Sequence, residues 1–146
     1  MFLSDLIECS CYNELMVAVR YLSHSGNTKK IAEAIAEGAS AVALSITDEP
    51  TLKEHIDVLF LGGAPYANIM DPKLREYAEK IQPEMVSKVV LFTTSNWSHR
   101  TVHALRKIFE QKGITVETEH FYAHMLRIQA RLEAAKAFGK KYVGNG

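Results

Sequence analysis

Residues 16–38 read MVAVRYLSHSGNTKKIAEAIAEG. Met16–Leu22 is an unbroken mostly apolar run, as a buried strand requires. Ser23–Thr28 is small and polar around the single Gly26. From Thr28 the apolar residues Ile31, Ala34 and Ile35 recur at helical spacing, with Gly38 placed to cap the helix after Glu37. A strand, a hydroxyl-rich loop and a helix N-terminus thus follow one another without a gap. This is the arrangement in which backbone N–H groups and the helix dipole converge on an anion. Ser23, Ser25 and Thr28 add hydroxyl donors, and Gly26 lets the backbone turn tightly. The same residues also serve a turn whose only task is to cap a helix. Lys29 and Lys30 favour the ligand. Cations in a first turn oppose the dipole at about 0.3–1 kcal/mol each, a cost that a bound dianion removes.

The pattern repeats along the chain. Ala41–Ile46 reads as a second strand, Thr51–His55 as at most one helical turn, and Ile56–Gly62 (IDVLFLG) as a strand covered on both faces. A loop over Gly63–Met70 leads to Asp71-Pro72, an N-cap followed by proline at the first helical position, and Leu74, Tyr77, Ala78 and Ile81 form one helix face. Val86–Thr93 is a further buried strand. Its following loop, Thr94–His99, opens a helix with Val102, Leu105, Ile108 and Phe109 on one side, ended by Gly113. Ile114–Phe121 alternates as an edge strand, and a last helix lies within Gln129–Tyr142, with Leu132, Ala135, Gly139 and Val143 on one side. Strands alternating with helices predict an α/β fold, a doubly wound five-stranded parallel sheet with helices on both faces. In the strand order 2-1-3-4-5 the loops after strands one, three and four meet at the switch point where such sheets bind ligands.

Composition narrows the function. The chain has 146 residues, 47% hydrophobic and 23% charged, which suits one ordinary domain. Seventeen basic and 17 acidic residues give zero net charge, so neither nucleic acid nor a membrane surface is invited. Residues 1–14 read as an N-terminal extension to a domain at 15–146, with acidic residues where a secretory leader carries basic ones. Cys9 and Cys11 alone do not complete a zinc set, and cytoplasmic reduced thiols are expected. His103, His120 and His124 have no metal-binding spacing, and neither His24 nor His99 is assigned a catalytic role. A receiver domain needs an acidic pair after strand one, where Ser23 and Ser25 stand.

Three stretches carry a resemblance to the flavodoxin family. Ser23-His24-Ser25-Gly26-Asn27-Thr28 matches the family's phosphate loop at each defined position. Leu61-Gly62-Gly63-Ala64-Pro65-Tyr66 is similar to its strand ending in glycine, a small residue, proline and an aromatic. Leu132–Gly139 is similar to its final helix. The resemblance spans Met16 to Val143 and implies a flavodoxin-like fold that binds FMN. Ser23, Ser25, Thr28 and the amides of His24 to Thr28, across Gly26 and Asn27, would hold the phosphate. The ring would lie between the other two loops, at Ala64, Pro65, Tyr66, Ala67, Asn68, Thr94, Ser95, Asn96 and Trp97, with Tyr66 and Trp97 offering flat faces. Two departures bear on function. The chain is neutral where electron-carrying members are strongly acidic, and no Asp or Glu lies between Gly62 and Met70 or between Thr93 and Arg100. There is also no added segment to split the fifth strand, so the resemblance is to short-chain members. The implied function is electron transfer, as carrier or small FMN-dependent oxidoreductase, with a redox partner protein and a possible dimer. A flavodoxin-fold binding or regulatory module without flavin is the alternative.

Overall fold

A computed structural model describes residues 15–66 and 69–143. The extension with Cys9 and Cys11, and Ala67 and Asn68 of the candidate site, lie outside the described residues. In chain order the elements are β1 (Val17–Leu22), α1 (Asn27–Ala39), β2 (Ala43–Ser45), β3 (Ile56–Gly63), β4 (Pro65–Tyr66), β5 (Ile69–Met70), α2 (Pro72–Lys80), a 3-10 turn (Pro83–Met85), β6 (Val86–Ser95), α3 (Arg100–Gln111), β7 (Phe121–His124) and α4 (Ile128–Val143). β4 and β5 form a small antiparallel hairpin inside the stretch expected to be loop. The other five strands make one parallel sheet in the order β2-β1-β3-β6-β7, which is 2-1-3-4-5 counted along the chain, as expected. No helix among the described residues is long and apolar enough to cross a membrane.

Alternate residues of the central strands feed two cores. Val19, Val58, Phe60, Val90 and Phe92 point into one, closed by Ile31 and Ile35 of α1 and Ala135 and Phe138 of α4. Ala18, Leu59, Leu61, Val89 and Leu91 point into the other, closed by Leu74 and Tyr77 of α2 and Val102, Leu105 and Phe109 of α3. A strand buried on both faces has no polar face to alternate with, which is why β3 and β6 read as continuous apolar runs.

Three expectations change. Gly38 does not cap α1: it lies inside the helix, and Ser40 ends it in the left-handed region at φ 56° and ψ 44°. Gly38 is needed for contact instead. A Cβ there would collide with the backbone carbonyl of Lys136 in α4, and one at Gly139 would collide with the carbonyl of Ile35 in α1. The two helices therefore touch backbone to backbone. Thr51–His55 contains no helix, so among the described residues four α-helices cover the sheet. The fifth strand is not Ile114–Phe121. Val116 makes one bridge to Val89, and regular pairing resumes only at Phe121, opposite Phe92. Between the two bridges the outer segment advances five residues while β6 advances three, so the strand is interrupted by a two-residue excess.

The helix crossing is directly testable. Gly139→Ala should lower unfolding free energy by about 2–3 kcal/mol, the upper range for overpacking a site with no room to relax. Urea denaturation monitored by circular dichroism checks this.

Candidate functional site

The loops after β1, β3 and β6 lie at the carboxyl edge of three adjacent strands. Side chains tie them together. His24 Nε2 is 2.8 Å from Asp71 Oδ2, joining the first loop to the start of α2. The same carboxylate accepts Lys73 N–H through Oδ1 at 2.8 Å, so Asp71 caps α2 and anchors the loop at once. Thr93 Oγ1 donates to Gly63 O at 2.7 Å, holding β6 to the end of β3. Thr28 and Thr94 pair their hydroxyls at 2.7 Å, and both residues are buried. The first turn of α1 is thereby fixed to the end of β6.

Within the first loop, Ser23 Oγ accepts Gly26 N–H at 3.0 Å, and Ser25 Oγ accepts Asn27 N–H at 3.4 Å. Gly26 is the N-cap of α1 at φ 94°, a left-handed value that glycine adopts without strain. It has no side chain, so α1 has no side-chain cap, and the helix carries no acidic residue in its first turn. By helix geometry the first-turn amides also lack intrahelical acceptors. α2 differs, since Asp71 caps it. An uncapped N-terminus beside a tight hydroxyl-bearing loop, with Lys29 and Lys30 exposed next to it, has the donor set for a phosphate-sized anion.

The other two loops are built differently from expectation. Thr94 and Ser95 are the last residues of β6 and are buried, so only Asn96–His99 is loop. Ala64 and Pro65 are half-buried, and Tyr66 contributes its backbone to the hairpin. Trp97 is 75% exposed at φ 80°, so it is not core. A left-handed conformation costs a side chain of this kind about 1–2 kcal/mol. Two residues of β7 hold it. Tyr122 Oη accepts Trp97 N–H at 2.8 Å and donates to Ser95 O at 3.1 Å. His124 Nε2 is 2.8 Å from Asn96 Oδ1, and its ring meets the indole edge-on at 4.6 Å. The Trp97 ring and the Asn96 side chain are thus turned toward β7.

Tyr122 and His124 lie beyond the fifth strand that alternation predicts at Ile114–Phe121, which ends where β7 begins. Asp71 was read as a cap alone; nothing in a sequence signals a partner 47 residues away. Behind Tyr122, His99 Nδ1 is 2.9 Å from His120 Nε2, and the His99 ring stacks on Tyr122 at 4.5 Å. Burial, then His99, Arg106 and His103, hold His120 below the ordinary histidine pKa, with Glu119 opposing. Among the described residues no group of three or more His, Cys, Asp or Glu is arranged to hold a metal ion.

The comparisons agree with this architecture. Residues 18–136 match the model of the flavodoxin domain, and the chain belongs to the flavodoxin family. A solved flavodoxin from the domain Archaea superposes with a TM-score of 0.76 at 22% identity, covering 88% of this chain and 96% of that one. The flavodiiron core of Flv1 from Synechocystis sp. PCC6803 superposes at 0.73 and 16% identity, covering 96% of this chain and 38% of that one. A Fusobacterium nucleatum flavodoxin bound to flavin mononucleotide superposes at 0.67 and 12% identity, with 88% and 96% covered. No curated protein matches the chain in sequence.

Two outcomes follow from the site's bonding. Thr28→Val leaves the Thr94 hydroxyl buried and unpaired, and should cost about 1–3 kcal/mol of stability in guanidinium titration. The Thr28→Val/Thr94→Val double variant should lose less than the sum of the two singles, because they share one bond. Separately, a histidine with a lowered folded pKa contributes stability that is complete above its unfolded pKa and is lost as pH falls. Denaturant titrations at about pH 7.5 and about pH 5.5, either side of the unperturbed histidine value of about 6.5, should show weaker stability at the lower pH. His120→Gln should make that decline shallower.

Proposed function

We propose that this flavodoxin-family protein binds FMN and transfers electrons. The uncapped N-terminus of α1 supports this reading most directly. Its amides, the Ser23 and Ser25 hydroxyls and the Gly26 turn suit the phosphate. Thr28 contributes by fixing that turn to Thr94. Ala64, Pro65, Tyr66, Ala67 and Asn68 on one side, and Ser95, Asn96 and the Trp97 backbone on the other, would receive the ring, with the Trp97 indole itself turned toward β7. FMN, when bound, supplies one- and two-electron chemistry. The chain's own residues set its position and exclude water from one face.

His24 has a second part in this reading. Its bond to Asp71 couples the phosphate loop to the segment after β3. Binding at one end of the cofactor site is then felt at the other. The neutral net charge distinguishes this chain from strongly acidic shuttles. A partner protein is better recognised here by local contacts than by a general field. A cytoplasmic location is part of the same proposal.

Purified protein should be yellow, with FMN released on denaturation, and colourless protein should take up added FMN. Protein that stays colourless with excess FMN would favour a binding or regulatory module without flavin. The Ser23→Ala/Ser25→Ala double variant should weaken FMN about tenfold or more while changing riboflavin affinity little, as expected for lost bonds to a charged group. Equal loss of both ligands, measured by fluorescence titration, would contradict the phosphate assignment.

A further inference from the structure

On the β7 side of the Trp97 loop lies a cavity of about 460 Å³, lined by Trp97, Tyr122, His124, Leu126, Arg127 and Arg131. It sits between the β6–α3 loop and the β7–α4 loop. No residue of Ser23–Thr28 or of Ala64–Pro65 lines it. In the strand order, β7 is three positions from β1, whose loop would carry the phosphate. We propose that this cavity is a second binding site, and that it takes a flat aromatic carboxylate of one or two rings.

The lining limits the ligand class. Two guanidinium groups and no carboxylate border the space, so the ligand is anionic. Among the described residues the Arg127 side chain makes no hydrogen bond or ion pair. Arg131 is held in place: Nη2 donates to Tyr122 O at 3.1 Å, and its guanidinium carbon lies 4.5 Å from the Phe121 ring centre. A fixed planar guanidinium and an available one suit a carboxylate, which pairs with arginine in two parallel bonds. A compact anion such as phosphate would meet the arginines but leave Trp97 and Leu126 uncovered, at 75% and 83% exposed. A neutral apolar ligand would cover those two and leave the cations unpaired. Only a ligand with both a flat face and an anionic edge uses the whole lining. The volume lies in the range of small-ligand sites.

The wall is also prepared in advance. The Tyr122 hydroxyl holds the Trp97 backbone in a left-handed conformation, and His124 holds the indole from its edge. An exposed aromatic fixed by its own backbone loses little freedom when a ligand stacks on it. The side chain of Trp97 thus stands on the β7 side of its loop, where His124 and Tyr122 meet it. The proposal stands whether or not FMN binds.

Trp97 is the single tryptophan, so its indole N–H gives one unambiguous NMR resonance at the cavity wall. Naphthoate should shift that resonance saturably, in FMN-free and in FMN-saturated protein. Naphthalenemethanol, the neutral analogue, cyclohexanecarboxylate and inorganic phosphate should each bind about tenfold more weakly or worse, as expected when one charged or stacking contact is lost. Arg127→Gln removes an exposed side chain with no folding role and should weaken naphthoate by about tenfold at unchanged melting temperature. The proposal is overturned if naphthoate leaves the indole resonance unmoved, if the alcohol binds as well as the acid, or if Arg127→Gln has no effect. Displacement of naphthoate by FMN would also overturn it, since the cavity would then be part of the flavin site. That result is distinct from failure of FMN binding itself, which the absorption spectrum reads.

Discussion

The backbone contact between α1 and α4 governs where everything else can lie. Gly38 and Gly139 place each helix against a carbonyl of the other, closer than any side chain allows. α4 is seated on the sheet through Phe138, which meets Phe60 and Phe121. α1 is then fixed against α4 rather than resting on side chains that can adjust. Its N-terminus is carried to a set place over the carboxyl edge, where Thr28 reaches Thr94. A shift at the far end of α1 would be delivered to the anion-binding end, because a helix of 13 residues moves nearly as one body.

The three loops are therefore neighbours by topology and attached by chemistry. Topology brings them to one edge because β1, β3 and β6 are adjacent. Attachment comes from three bonds of different character: a histidine–carboxylate bond at the rim, a hydroxyl-to-carbonyl bond between strands, and a buried hydroxyl pair. The rim pair is half-exposed on its His24 side and contributes little to stability by itself. Its value is in orientation. The buried pair is the expensive one to break, because neither hydroxyl has water to fall back on.

How far the sequence could be read follows the same physics. β3 and β6 were legible because burial on both faces leaves an unbroken apolar run, and α2 because Asp71 and Pro72 occupy positions set by helix ends. Gly38 misled because two needs, a helix terminus and a close crossing, both select glycine, and only the position of α4 separates them. The fifth strand misled for another reason. Ile114 and Val116 alternate correctly with their polar neighbours, but the two-residue excess that follows resets the register, and alternation carries no mark of an excess. Tyr122 and His124 fell on the far side of that reset. The phosphate loop itself was readable because its function depends on local backbone; the ties that hold it, such as His24 to Asp71, cross long sequence distances and leave no local trace.

The lengths of the strands carry one more consequence. The inner strands β3 and β6 have eight and ten residues, while the outer ones, β2 and β7, have three and four. An open sheet presents unsatisfied backbone groups along its outer strands, and these invite a second chain to add itself. Here β2 is too short to template such growth. On the other side the excess residues before β7 break the line of donors and acceptors, and Lys88 and Glu117 place an ion pair beside the break. The irregularity that hides the fifth strand from the sequence is thus also a break in the edge along which a second chain would have to pair.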